Sequence, residues 1–137
     1  MINLRVKKWP LWFSIGAVII FSFFLSRDIL ARFAWQKYGR ADIALVLVRR
    51  DAILAMEIGN YYFGATIGRS DYDLKKAERA YGKAVATNSK ILWGHYQIAR
   101  IHFMRGDFNG AILEINKELD ANPENLRSLY VRGLIYG

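Results

Sequence analysis

The feature that most constrains this chain is a residue pattern that recurs at a spacing of 34. Residues of similar size recur at that interval. Small residues pair as Ala77 with Ala111 and Ala99 with Gly133, and large ones pair as Tyr81 with Ile115 and His102 with Tyr136. A fixed period of this length is typical of repeat proteins, in which each unit buries its apolar side only against its neighbours. The sequence therefore predicts an all-α stack of helix-turn-helix units, which is typical of binding scaffolds rather than enzymes.

One complete unit lies within residues 92–125. Its parts follow in the order His95-x-x-Ile98-Ala99-x-x-His102, then Gly106-Asp107-Phe108, then Ala111-x-x-x-Ile115, then Pro123. This order resembles the tetratricopeptide repeat, which places small residues where two helices approach closely and ends near a proline. The resemblance implies an α-solenoid in which the first helices of successive units line a concave face.

Partial copies of the unit lie on both sides of it. Upstream, Ala55-x-x-Ile58-Gly59-x-x-Tyr62 and Ala77-x-x-x-Tyr81 resemble its two helices, and their wider separation predicts an inserted loop around residues 64–72. Downstream, Leu129-x-x-Arg132-Gly133-x-x-Tyr136 resembles another first helix. We therefore divide residues 51–137 into units 51–91, 92–125 and 126–137, the last of them partial. Its apolar helix favours either a chain that continues into further repeats or self-association through this helix.

An apolar segment precedes the repeats. Residues 9–26 contain no charged side chain, and as a helix they would be about 27 Å long, close to the thickness of a bilayer's hydrocarbon core. A cleaved secretory signal is the competing interpretation, because residues 1–8 are basic, but Arg27 and Asp28 directly after the run argue against cleavage. The sequence predicts a retained transmembrane helix at residues 9–26.

Positive charge is concentrated before the repeats. Nine basic residues oppose two acidic ones in residues 1–50, whereas eleven oppose ten in residues 51–137. A nucleic-acid interface would need a basic stripe on the folded domain, so we expect no nucleic-acid partner. Residues 27–50 are predicted to form a basic juxtamembrane helical linker. We expect its cationic residues to contact anionic lipid, namely Arg27, Arg32, Lys37 and Arg40.

The same charge distribution bears on localisation. The short basic tail at residues 1–8 is typical of a signal anchor, so we expect a single-pass protein of a bacterial cytoplasmic membrane. The repeats would then lie on the extracytoplasmic side. The chain has no cysteine, which excludes a disulfide framework and thiol ligands.

No residue pattern in the chain predicts catalysis. His95 and His102 lie seven positions apart on one predicted helix, and we interpret them as packing residues because nothing completes a metal-ligand set. Glu114, Glu118 and Asp120 are interpreted as a solvated helix face rather than a general acid and base. The sequence therefore predicts no catalytic residue, no cofactor and no metal.

The resemblance also implies a binding face. Its inward-facing positions fall, in this sequence, on Met56, Asn60, Phe63, Trp93, Tyr96, Arg100, Phe103, Arg127, Tyr130 and Leu134. Aromatic and arginine side chains are enriched where proteins bind one another, so the expected partner is a protein or peptide with apolar and acidic residues. The function implied is a membrane-tethered interaction scaffold. The alternative is the noncatalytic segment of a larger membrane enzyme or of a cell-envelope polysaccharide or assembly system.

Overall fold

The computed structural model describes residues 11–64 and 71–136, except for the side chains of residues 11–14, 21 and 23–25. These residues form seven α-helices and no strand: α1 (Leu11–Tyr38), α2 (Ala41–Leu47), α3 (Ala52–Tyr62), α4 (Leu74–Thr87), α5 (Gly94–Met104), α6 (Phe108–Ala121) and α7 (Leu126–Tyr136). The all-helical class predicted from the repeat pattern is confirmed for this part of the chain.

The helices pack in the order in which they occur in the sequence. Every extensive helix-to-helix contact among the described residues joins two consecutive helices, from α1 with α2 to α6 with α7. The larger hydrophobic core extends from α1 to α5 and includes Leu54, Ile58 and Tyr81. A smaller core lies between α5 and α6, around Ala99 and Ile115. Such contacts between neighbours are expected of a stack of helical units.

Small residues lie where helices approach most closely. Ala77, Ala99 and Ala111, which the repeat pattern singles out, are fully buried. At Gly59 the space is tighter still, because a Cβ atom there would collide with the ring of Tyr81 on α4. The pairing of α3 with α4 therefore depends on the absence of a side chain at this position.

Three helices begin at an aspartate that caps the first turn. The carboxylates of Asp51, Asp73 and Asp107 accept hydrogen bonds of 2.9 Å from the backbone N–H groups three residues later. These bonds satisfy donors that the helix itself leaves unpaired, which explains where α3, α4 and α6 start. The connection from α3 to α4 joins residues 63 and 73, and most of the predicted inserted loop, residues 65–70, lies outside the described residues.

The predicted transmembrane helix is contradicted. Among the described residues, no helix combines the length and the apolar character that crossing a bilayer requires. The basic tail and the first two residues of the predicted span lie in residues 1–10, outside the described residues. The predicted single-pass localisation, with the repeats on the extracytoplasmic side of a bacterial membrane, is therefore wrong.

The second half of α1 packs against protein. Its residues Ala31 and Ala34 are buried, and the indole N–H of Trp35 donates a 3.0 Å hydrogen bond to Glu57 on α3. Three of the four basic residues predicted to contact lipid bind groups in the chain itself: Arg27 binds the Val46 carbonyl, Arg32 binds Asp51, and Arg40 binds Asp42. Contact of these residues and Lys37 with anionic lipid stays a prediction.

Candidate peptide-binding face

The ten residues predicted to line the binding face are divided among three helices and their ends. Met56 and Asn60 lie on α3, and Phe63 directly follows it; Trp93 precedes α5, which carries Tyr96, Arg100 and Phe103; and Arg127, Tyr130 and Leu134 lie on α7. Each set belongs to the first helix of a repeat unit as the sequence pattern defines it.

Five of the ten form a continuous series of contacts. The guanidinium of Arg100 lies over the ring of Phe63, 4.5 Å from its centroid, and 5.9 Å from the ring centroid of Tyr96. The rings of Tyr96 and Trp93 meet edge to face with 5.4 Å between centroids, and Arg127 lies 5.3 Å from the Trp93 centroid. We call these five residues the aromatic–arginine ladder. It links α3, α5 and α7, which are separated in sequence.

The ladder holds two positive charges in fixed positions. A guanidinium stacked on an aromatic ring keeps its charge, and the N–H groups in its plane remain able to form paired bonds with a carboxylate. The side chain of Arg100 also donates a 2.9 Å hydrogen bond to the neutral amide oxygen of Gln97. The arrangement is therefore suited to binding carboxylates beside aromatic surface.

The other five predicted residues lie outside the ladder. Asn60 accepts a 2.9 Å hydrogen bond from the Tyr81 hydroxyl, and Met56 packs against the larger core, so both contribute to the fold. Phe103 makes an edge-to-face contact with a ring at the start of α6. Tyr130 and Leu134 are more than half exposed. Self-association through α7 stays a prediction.

An apolar groove lies beside one end of the ladder. Its volume is about 850 Å³, and it is lined by Leu92, Trp93, Ala121, the turn at residues 122–125, Leu126 and Arg127. The sequence pattern did not identify this groove, because its lining comes from two connections between helices. The exposed leucines at positions 92 and 126 are the signal that could have indicated it.

A buried carboxylate positions the ladder. Glu118 is fully buried, so its predicted place on a solvated helix face is wrong. It accepts hydrogen bonds from the backbone N–H groups of Trp93 (3.0 Å) and Tyr96 (3.2 Å), and from the side-chain amides of Asn122 (2.9 Å) and Asn125 (3.0 Å). Trp93 has a backbone φ of 72°, a left-handed conformation uncommon for a residue with a side chain. The bonds that Glu118 accepts therefore hold both aromatic residues at the start of α5.

The neighbouring carboxylate Glu114 is also mostly shielded from solvent, contrary to the predicted solvated face. It lies 2.7 Å from the His95 ring and accepts a 2.6 Å bond from Lys117. Burial alone would raise the pKa of Glu114, but the bonds from Lys117 and His95 outweigh burial and hold its pKa below the ordinary value. His95 is thus paired with a carboxylate on α6.

The second histidine belongs to a different group of residues. His102 lies 2.7 Å from Asp107 at the start of α6 and 4.0 Å from Glu78 on α4. Hydrogen bonds from the Gly110 N–H and from His102 hold the pKa of Asp107 below its ordinary value. Within residues 11–64 and 71–136 no three or more ligating side chains come together in a group that could hold a metal ion.

Comparison with known proteins adds no family. No protein-family model matches the chain, and no curated protein matches it. The likeness to tetratricopeptide repeats therefore stays a prediction based on the residue pattern. The geometry of the ladder and the groove is what bears on function.

Proposed function

We propose that this chain is a protein-interaction module that binds a partner polypeptide through the aromatic–arginine ladder and the adjacent apolar groove. One observation carries the proposal: Arg100 and Arg127 each lie over an aromatic ring of the ladder. Residues of these types dominate the binding energy of many protein interfaces. The preferred partner carries acidic residues next to apolar ones.

The two parts of the surface have different roles. The guanidinium groups of Arg100 and Arg127 bind carboxylates of the partner through paired, charge-assisted hydrogen bonds. The groove beside Trp93 and Leu126 receives an apolar side chain. An extended or helical segment that alternates these two residue classes meets both requirements.

The repeat-like order of the helices supports the same proposal. Proteins built from stacked helical units present extended surfaces that bind other chains. The resemblance to tetratricopeptide repeats assigns the ladder to the concave side of such a stack. In this proposal the chain supplies a rigid surface and performs no reaction.

The proposal is tested with labelled synthetic peptides and the full chain. The probe alternates leucine with glutamate, and a second peptide of equal length has glutamine in place of every glutamate. We expect fluorescence anisotropy to show tighter binding of the glutamate peptide, with an affinity that falls as salt is added. Tyr96 is buried, so the arginines are the safer positions for substitution.

Two variants and a matched control locate the interaction. We expect Arg100→Gln and Arg127→Gln each to weaken binding of the glutamate peptide about tenfold, because each removes a charge-assisted bond. Arg132→Gln makes the same change in charge on α7 but outside the ladder, so it should leave the affinity unchanged. Equal binding of the two peptides, or equal loss in all three variants, would refute the proposal.

A further inference from the structure

A second group of cations surrounds the connection between α2 and α3. Arg27 on α1, Arg49 in the connection and Lys83 on α4 line a hollow of about 440 Å³ together with the hydroxyl-bearing Thr87. We call this the basic hollow. None of these residues belongs to the aromatic–arginine ladder, and the proposed peptide-binding function does not use them.

Lys83 in the basic hollow is held in place at the end of α2. Its ammonium donates hydrogen bonds to the carbonyl oxygens of Leu45 (2.5 Å) and Val48 (2.9 Å), at the end of α2. Burial lowers the pKa of Lys83, and the positive charges of Arg79, Arg27 and Arg49 lower it further. The protein thus holds several like charges close together, at a cost in free energy.

Asp28, whose negative charge raises the pKa of Lys83, is itself bound by backbone groups. Asp28 accepts hydrogen bonds from the backbone N–H groups of Arg49 (2.7 Å) and Arg50 (3.2 Å). One carboxylate therefore opposes three arginines that lower the pKa of Lys83. An external anion would reduce the repulsion that Lys83 still meets.

The guanidinium of Arg27 also has a hydrogen-bond donor that no described residue accepts from. One terminal nitrogen of its guanidinium donates a 3.3 Å bond to the Val46 carbonyl. Its Nε atom is buried and, among the described residues, has no hydrogen-bond partner. A buried donor without a partner is uncommon and suggests a group that is missing from the site.

We propose that the basic hollow binds a phosphate group. A phosphate has up to two negative charges and several acceptor oxygens, which match the guanidinium and ammonium groups that line the hollow from three parts of the chain. A carboxylate has only one charge and would leave most of the repulsion in place. The phosphate could belong to a free phosphate ion or to a lipid headgroup, and the chemistry at the hollow is the same for both.

The first experiment uses the full chain and inorganic phosphate. We expect isothermal titration calorimetry, at constant ionic strength maintained with chloride, to show saturable binding. Arg49→Gln and Arg27→Gln should each weaken it about tenfold, which corresponds to the loss of one charge-assisted bond. The matched control is Lys75→Gln, an exposed residue on α4 that does not line the hollow. Circular dichroism of each variant verifies that helix content is retained.

The second experiment distinguishes the two sources of phosphate. Vesicles of phosphatidylglycerol are compared with vesicles of phosphatidylcholine, whose headgroup has no net charge. Binding to the anionic vesicles that decreases in Arg49→Gln and Arg27→Gln, but not in Lys75→Gln, would assign the site to a lipid headgroup. The proposal is overturned if neither phosphate nor anionic vesicles bind. It is also overturned if both hollow variants bind these probes as the unmodified chain does.

Discussion

At the scale of single residues, Glu118 connects the binding face to the fold. Its carboxylate lies in the interior where α5, α6 and the turn before α7 meet. Two of its donors are backbone N–H groups at the start of α5, which have no partner within their own helix. Removing the carboxylate would leave these groups buried and unpaired.

We expect Glu118→Ala to lower the free energy of unfolding by about 3 kcal/mol, because several buried donors lose their acceptor. Glu118→Gln keeps one acceptor oxygen and should cost less. The measurement is urea denaturation followed by circular dichroism. Glu124→Ala, at an exposed position in the next turn, serves as the control and should change stability by less than about 0.5 kcal/mol. Similar losses for Glu118→Ala and Glu124→Ala would contradict the assigned role.

The burial of Glu118 could have been predicted from helical periodicity. Ala111 and Ile115 are buried on one face of α6, and Glu118, three residues after Ile115 and seven after Ala111, falls on that same face. The residue type suggested that the side chain is exposed to solvent, because carboxylates are seldom buried unless they are paired. The donors that make burial tolerable come from α5 and from Asn125, and a pattern within α6 does not reveal them.

At the scale of helices, the small residues of the repeat pattern were informative because they mark close packing. The pattern placed a small residue at position 59, and the Tyr81 ring lies directly against it. Not every helical glycine marks a close approach between helices. At Gly82, also within a helix, a Cβ atom would meet nothing within 4 Å.

These two glycines give opposite expectations for one substitution. Gly59→Ala should lower the free energy of unfolding by about 1–3 kcal/mol, because the added methyl group displaces the Tyr81 ring. Gly82→Ala should raise it by up to about 1 kcal/mol, because alanine favours a helix and no contact is disturbed. Thermal and urea denaturation of both variants measure the difference. Stabilisation by Gly59→Ala would show that α3 and α4 do not approach as closely as described.

The predicted transmembrane helix was wrong for a reason that also concerns the packing of helices. A hydropathy pattern records how apolar a run is, but it does not show what the rest of the helix packs against. In α1 the helix continues past Arg27 and Asp28, and its later turns bury Ala31 against the other helices. That contact is a property of the packed helices and could not be obtained from the apolar run.

At the scale of the whole molecule, burial is unevenly distributed along the stack. The larger core includes residues from α1 to α5, whereas the only buried residue of α7 is Ser128. The ladder extends across this gradient, since Phe63 lies at the well-packed end and Arg127 lies on α7. The repeat pattern identified its five members as inward-facing positions. Their contacts could not be predicted, because they depend on how three helices stack.

The same gradient predicts a gradient in local stability. In a stack whose contacts join neighbours, a helix with little buried surface opens more often than well-buried ones. We expect hydrogen–deuterium exchange to be slowest in α3 and α4 and fastest in α7 among the helices from α3 onward.

Glu118→Ala should accelerate exchange in α7 further, by about tenfold for each 1.4 kcal/mol lost, because Asn125 and the turn before α7 are attached through this carboxylate. The Glu124→Ala control should leave the profile unchanged. Uniform protection from α3 to α7, or an effect of Glu118→Ala spread equally over all helices, would mean that the chain opens as a single cooperative unit.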